Sequence, residues 1–400
     1  MINKRENRQE IKERLHRVFE DRFGSAVGTH FFFAPSRINL IGEHIDYNGG
    51  QVFPCAITIG TYGLARPNDL GKLRLGSLNL KSFGEVAYPL PDYDNQRGWI
   101  NYPIGVFRYL EDLGYGQEKK GQGLDILIYG NIPNGAGLSS SSSIELLFAV
   151  IFDHFLAGGK VDRMDMVRSG VWCENEFFGL HTGIMDQYVI GFGKKDYAMV
   201  LDTSVPSHTY VPFELKGARI VIMNTRKPRA LKDSKYNERR SECEKALDIL
   251  RKDRDIRHLC DLGKEDLPLL EKIQDPILRK RAKYVVEENI RVKEAVQALK
   301  DQDLVKLGRI LRAGNKALRE EYEVTGPELD AITGAANAHP DCYGARMTGA
   351  GFGGCAIAIV KEGAIEDFKA RVGSAYKKET GREGEFIISE VGDGARLIEE

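Results

Sequence analysis

The sequence predicts an α+β protein of two domains, on three observations. The chain has 400 residues, too many for one ordinary core. Strand-like and helix-like segments are mixed without the strict alternation of a doubly wound parallel sheet. A nearly all-helical, charged stretch from Lys235 to about Glu321 lies between two regions rich in strand signals. A boundary near Pro206–Gly217 divides the chain into an N-terminal domain, 1–212, and a C-terminal domain, 213–400.

The elements follow from hydrophobic period. Ile11, Leu15, Val18 and Phe19 recur at helical steps, so the charged N-terminus is an amphipathic helix. Thr29–Ala34 is a compact apolar run that ends as a strand at Pro35, and Gln51–Gly63 and Lys72–Leu80 are further strands. Gly98–Gly114 places Ile104, Phe107, Leu110 and Leu113 on one helical side. Leu124–Asn131 alternates as a strand and runs into Pro133 and a Gly/Ser cluster. Ile144, Leu147, Phe148, Ile151 and Phe155 then mark a buried helix over Ser141–Leu156, and Val161–Phe178 is a second. Short strands are expected at Tyr197–Leu201, Ala218–Asn224, Ala345–Met347, Gly354–Lys361 and Glu385–Ser389, with a helix over Ala364–Lys378.

Composition excludes several function classes. Hydrophobic residues make up 42% and charged residues 29%, which is ordinary for a globular protein. Lys plus Arg total 57 against 58 Asp plus Glu, so no strong field recruits nucleic acid or an anionic membrane. The basic runs Arg226–Arg240 and Arg279–Lys283 read as solvated helix faces. The six cysteines form no CxxC pair and fit reduced thiols in the cytosol. The N-terminus has no signal-peptide core and no apolar run reaches the roughly eighteen residues of a membrane span, so a cytoplasmic location is expected.

Four segments carry chemistry. GNIPNGAGLSSSSSIELL, residues 130–147, feeds a strand through Gly135 and Gly137 into a helix opened by five serines. Glycines permit close backbone approach, and a helix N-terminus offers unpaired N–H groups, so the segment suits phosphate. Serine hydroxyls add donors or a hard ligand for Mg²⁺. The lysine of the usual GxxxxGK[ST] loop is absent. One serine suffices to cap a helix, and five exceed that need. PSRINLIGEHIDYNGGQVFP, residues 35–54, crowds Arg37, Glu43, His44 and Asp46 into one loop. That set suits a polyhydroxylated ligand, whose hydroxyls both donate and accept, although a polar turn would use the same residue types. ENEFFGLHTGIMDQYV, residues 174–189, sets Asp186 among apolar neighbours downstream of Glu174. An acid so placed is either functional or a capping residue. ARMTGAGFGGCAIAIV, residues 345–360, is a Gly-rich turn entering a buried strand, which either clasps phosphate or allows tight packing.

Together these segments resemble the three motifs of the GHMP kinases, and NLIGEHIDYNGG resembles the signature of the galactokinase family within them. GIMDQYV, NTRKPRALKDSKYNERRSECE (224–244) and REEYEVTGPELD (319–330) are similar to galactokinase segments too, so the resemblance covers Thr29 to about Lys361. It implies a two-domain α+β GHMP kinase fold with the active site in the interdomain cleft, and an enzyme that phosphorylates galactose at its anomeric hydroxyl; a monomer is expected, with a dimer as the alternative. Its co-substrate is ATP and its metal Mg²⁺. By position it implies that Arg37 and Asp186 are catalytic, and that Glu43, His44, Asp46, Gly183 and Tyr236 hold the sugar. Gly135, Ala136, Gly137, Leu138, Ser139, Ser140 and Ser141 match the ATP phosphate loop, Ser77 the adenine side, and Ser141 with Glu174 the Mg²⁺ ligands. Two positions depart from the pattern: Ser36 stands where Gly is common and Ser142 where Ala is usual. Shared motifs leave two other expectations open, an N-acetylgalactosamine kinase and an inactive sugar- and ATP-binding sensor. Intact Gly/Ser and Asp186 motifs speak against the sensor.

Overall fold

The computed structural model describes residues 6–133, 135–180, 182–227 and 232–398. The first helix, α1 (Arg8–Phe23), begins with a capping box between Asn7 and Glu10. Strands β1 (His30–Asn39), β2 (Gln51–Val52), β3 (Pro54–Asn68), β4 (Lys72–Ser77) and β5 (Ser82–Ala87) follow, then α2 (Asn101–Asp112) and β6 (Gly123–Gly130). Next come α3 (Ser140–Phe152), α4 (Arg163–Trp172), α5 (Met185–Phe192), β7 (Tyr197–Asp202), β8 (Ser207–Pro212) and β9 (Ala218–Asn224). The expected helical stretch holds α6 (Lys232–Leu250), α7 (Pro276–Lys300) and α8 (Leu304–Ala317), with only short 3₁₀ segments between α6 and α7, and α9 (Pro327–Ala338) follows it. The chain ends with β10 (Cys342–Thr348), β11 (Cys355–Lys361), α10 (Ile365–Thr380), β12 (Glu385–Ser389) and β13 (Arg396–Leu397).

These form an α+β fold with three sheets. Six strands in the order β13-β1-β3-β6-β4-β5 build the first, antiparallel throughout except for the parallel β4–β6 pair. The second, β10-β11-β9-β12, is antiparallel, as is the small β2-β7-β8 sheet. One face of the large sheet carries α3, and its other face carries α1 over Phe31, Phe33, Tyr62, Leu64 and Leu127. The apolar Ser140–Ala157 window is long enough to cross a membrane but is mostly buried in the protein.

Several local outcomes differ from the sequence reading. β1 does not stop at Pro35: it continues to Asn39 after a register shift between Pro35 and Ser36. The bulge tolerates a residue without an N–H donor. It works because position 60 is glycine, where a Cβ would fall 2.1 Å from the Ala34 carbonyl oxygen. The helices expected through Leu156 and Phe178 lose α geometry at Asp153–Ala157 and Cys173–Phe177, where they relax into wider π turns. β5, α5, β8 and α9 had no counterpart in the expectation, being short or lacking a clean period.

Candidate active site

A cleft of about 550 Å³ opens where β1, the segment from β6 to α3, the start of α5, α6 and the turn after β10 meet. It gathers residues from far apart in the chain, Arg37 and Asp46 at one end and Gly349 and Ala350 at the other.

At its centre Arg37, almost fully buried in β1, forks onto Asp186 in the first turn of α5. Arg37 Nε donates to Asp186 Oδ1 at 2.7 Å and Nη2 donates to Oδ2 at 2.9 Å. A two-point pair of this kind fixes the carboxylate plane as well as its place. The third guanidinium nitrogen, Nη1, donates to the Gly137 carbonyl at 3.1 Å, which ties the arginine to the phosphate loop. Ser139 adds a hydroxyl donor to Asp186 Oδ2.

The five serines divide between the cleft and the core. Ser139 holds a left-handed backbone, φ 54°, just before α3, and its side chain turns to Asp186 instead of capping the helix. The α3 N-terminus therefore faces the cleft without a side-chain cap, which leaves backbone donors for an anion. Ser139, Ser140 and Ser141 line the cleft, while Ser142 and Ser143 are buried. Ser143 Oγ donates to the Ala34 carbonyl at 2.9 Å, fastening α3 to β1. Ser36, the departure from the common glycine, fits: its buried hydroxyl donates to the Leu138 carbonyl. Gly135, Gly137 and Leu138 line the cleft too, and Ala136 between them is buried. Asn134 of this segment and His181 of the third lie outside the described residues, as do 228–231 of the 224–244 segment.

The loop after β1 forms the opposite wall. Asp46 lines it against Gly183, where a Cβ would come 2.7 Å from Asp46 Oδ2. Burial pushes the Asp46 carboxyl up to about 6, with the Asp186 charge acting the same way. Glu43 is buried at the cleft wall, and burial lifts its carboxyl to about 7 even though Arg346 opposes the shift. Tyr236, near the start of α6, lines the cleft with its ring 5.4 Å from that of His44, and burial raises its phenol well above the usual range. His44 borders the cleft, but its ring works within the protein. Nε2 lies 3.1 Å from the Ala350 carbonyl, which can only accept, so Nε2 carries the proton. In the neutral ring Nδ1 then accepts from Tyr47 Oη at 2.8 Å, and Tyr47 in turn meets Tyr322 Oη at 2.8 Å.

Below the phosphate loop, Gln187 Nε2 donates to Glu174 Oε2 at 3.1 Å and to Glu145 Oε2 at 3.0 Å. Glu145 is fully buried, and burial together with the Glu174 charge drives its carboxyl well above the carboxylate range. Ser77 is apart from this assembly. It ends β4, is buried, and accepts from the Leu80 N–H at 3.4 Å without lining the cleft.

Sequence reasoning missed Glu145, Gln187 and Arg346. A signal existed for two of them: Glu145 interrupts an apolar helical run and Arg346 sits inside a buried strand.

Comparison with known proteins places the chain. Residues 17–67 match the galactokinase galactose-binding signature, 101–194 the GHMP kinases N terminal domain, and 295–378 the GHMP kinases C terminal region. A galactokinase from Exiguobacterium sibiricum is 47% identical over 390 residues, covering 96% of this chain and 98% of the relative. The chain belongs to the galactokinase family of GHMP kinases. A galactokinase of Enterococcus faecalis is likewise 47% identical, over 97% of this chain and all of its own. The crystal structure of Lactococcus lactis galactokinase complexed with galactose superposes with a TM-score of 0.91 at 41% identity, covering 97% of this chain and 100% of that one. A Methanococcus jannaschii mevalonate kinase shares the fold at TM-score 0.65 and 19% identity.

Proposed function

We infer that the protein is an ATP-dependent galactose kinase that phosphorylates the anomeric hydroxyl, giving galactose 1-phosphate and ADP. The observation that carries this is the Arg37–Asp186–Ser139 clasp, because it joins the phosphate loop to the wall that bears Asp46 and Tyr236. Membership of the family and the galactose complex of the Lactococcus relative support the choice of sugar.

Asp186 orients the attacking hydroxyl and accepts its proton. Arg37 stabilises charge on the phosphoryl group in transit, and the uncapped α3 N-terminus with Gly135–Ser141 cradles the triphosphate. Asp46, Glu43, Tyr236 and the backbone at Gly183 receive the sugar's hydroxyls, with His44 framing that wall. Because the transition state of phosphoryl transfer is loose, this placement of charge and reactants does most of the work.

Ser141 and Glu174 both line the cleft and present hard oxygen donors, which fits Mg²⁺. Among the described residues no cluster of three or more His, Cys, Asp or Glu could hold a metal unaided. When bound there, Mg²⁺ would supply positive charge that offsets that of the triphosphate. The six free thiols, five of them buried, suit a reducing cytoplasm.

The test is ATP-dependent phosphorylation across galactose, glucose, N-acetylgalactosamine and mevalonate, with the product's phosphate located by NMR. Galactose should be strongly preferred and the phosphate anomeric. A preference for N-acetylgalactosamine, or sugar binding without turnover, would replace this reading.

A further inference from the structure

Glu43 presents an unusual account of hydrogen bonds. Its Oε2 accepts from Arg346 Nη2, but Oε1 is buried with no partner among the described residues. A buried carboxylate oxygen without a donor is costly, and a ligand hydroxyl arriving there would relieve the cost. The carboxylate is gripped from the other half of the chain. Arg346, on β10, is 0% exposed, and its Nη1 forms an ion pair with Glu288 Oε1 on α7 at 2.9 Å, without hydrogen-bond geometry. Glu288 accepts the Gly42 N–H at 3.1 Å and Arg291 Nε at 2.7 Å. Tyr284, also on α7, donates its hydroxyl to the Glu43 carbonyl at 2.8 Å.

We propose that Arg346, braced by Glu288, is a positioning residue that aims the second oxygen of Glu43 at one particular hydroxyl of the sugar. This rests on the reading of Glu43 as a sugar contact. Arg346 meets Glu43 at Oε2 alone while Glu288 holds the other side of the guanidinium, so one oxygen of Glu43 is anchored and the other is left for a ligand. An ammonium in its place keeps the charge but not the plane. A site that pairs a hydroxyl rejects the analogue without it, because its own buried group is then left unpaired. Loosening Arg346 therefore weakens discrimination at that one hydroxyl and leaves the rest of the sugar's recognition in place.

The experiment measures kcat and KM for galactose and for each monodeoxygalactose lacking one non-anomeric hydroxyl, using wild type, Glu43→Gln and Arg346→Lys at saturating ATP. In wild type, removal of the hydroxyl facing Glu43 should lower kcat/KM steeply. Glu43→Gln should shrink that penalty about tenfold or more, the scale of a hydrogen bond to a charged group. Arg346→Lys should shrink the same penalty and no other, chiefly through KM. If Arg346→Lys does not fold, Glu288→Gln should give the same pattern more weakly. Penalties that stay at wild-type values, or activity that falls equally on every analogue, would overturn the positioning role while Glu43 remained a sugar contact. If Glu43→Gln changes no penalty, the sugar reading of Glu43 fails and the proposal with it.

Discussion

Asp186 receives three donors, two from Arg37 and one from Ser139, so its carboxylate is held in one orientation before any substrate arrives. Replacing it with asparagine keeps the volume but removes the charge and the proton acceptor. Asp186→Asn should lower kcat by about 10²–10⁴-fold while circular dichroism stays native. Turnover near wild type would take Asp186 out of the mechanism. Asp46 and Glu43 yield a pH prediction. Their carboxyls are raised to about 6 and about 7, so the native fold holds these protons more tightly than the unfolded chain does. Stability of the ligand-free protein is thus lost as pH climbs through that window, and sugar hydroxyls that donate to the ionised forms restore it. The rise in melting temperature caused by galactose should accordingly be larger at pH 8 than at pH 5, to the nearest unit on either side of the window. Asp46→Asn should flatten the lower part of that curve, and an unchanged curve would show that Asp46 does not meet the sugar.

At the scale of elements, what the sequence reveals depends on whether a period or a pairing creates the feature. The buried α3 helix and the phosphate loop are legible because apolar residues repeat and glycines cluster locally. The division of labour among Ser139–Ser143 is not, since it depends on which neighbour each hydroxyl meets, Asp186 in one case and Ala34 in another. Asp46 stands out by its crowded loop and Gly183 and Tyr236 only by resemblance, and the fold brings all three to one cleft. α5 is eight residues long and follows a loop, too short for its period to declare it. β1 was cut short at Pro35 because a proline usually ends a ladder, and the bulge opposite Gly60 is a pairing property. Gly60→Ala tests that account directly. A methyl 2.1 Å from the Ala34 oxygen must push β1 and β3 apart just before Arg37. The variant should lose about 2 kcal/mol or more in urea unfolding, the scale of overpacking at a backbone. Its kcat should fall with the displacement of Arg37, and wild-type stability would mean that the bulge has slack.

For the whole molecule, the end of the chain returns to the N-terminal sheet. After β12, Gly392 N–H donates to the Ala56 carbonyl at 3.0 Å, and Val391 bridges Ile57. Gly394 then donates to Gly193 and Ala395 to Ile190, both at 2.8 Å, before β13 pairs with β1 at Phe32 and Phe33. Arg163 of α4 donates to the Ala395 carbonyl at 3.0 Å. One segment thereby touches α4, the end of α5 and the outer side of β1, and the last two elements carry Asp186 and Arg37. Ending the chain after Glu390 removes these three backbone hydrogen bonds from Gly392, Gly394 and Ala395, and a fourth in which the Ile398 N–H donates to the Phe31 carbonyl at 2.8 Å. At about 1 kcal/mol each, the cost is several kcal/mol, and the melting temperature should drop by about 5 °C. The effect on catalysis should exceed the effect on sugar binding. Asp46, Glu43 and Tyr236 are held by contacts elsewhere, whereas the Arg37–Asp186 fork depends on how α5 seats against β1. Calorimetric galactose titration and kcat on the same preparation separate the two: galactose affinity should change little and kcat should fall. If the shortened chain binds galactose poorly but keeps its turnover rate, the tail supports the sugar wall rather than the catalytic fork.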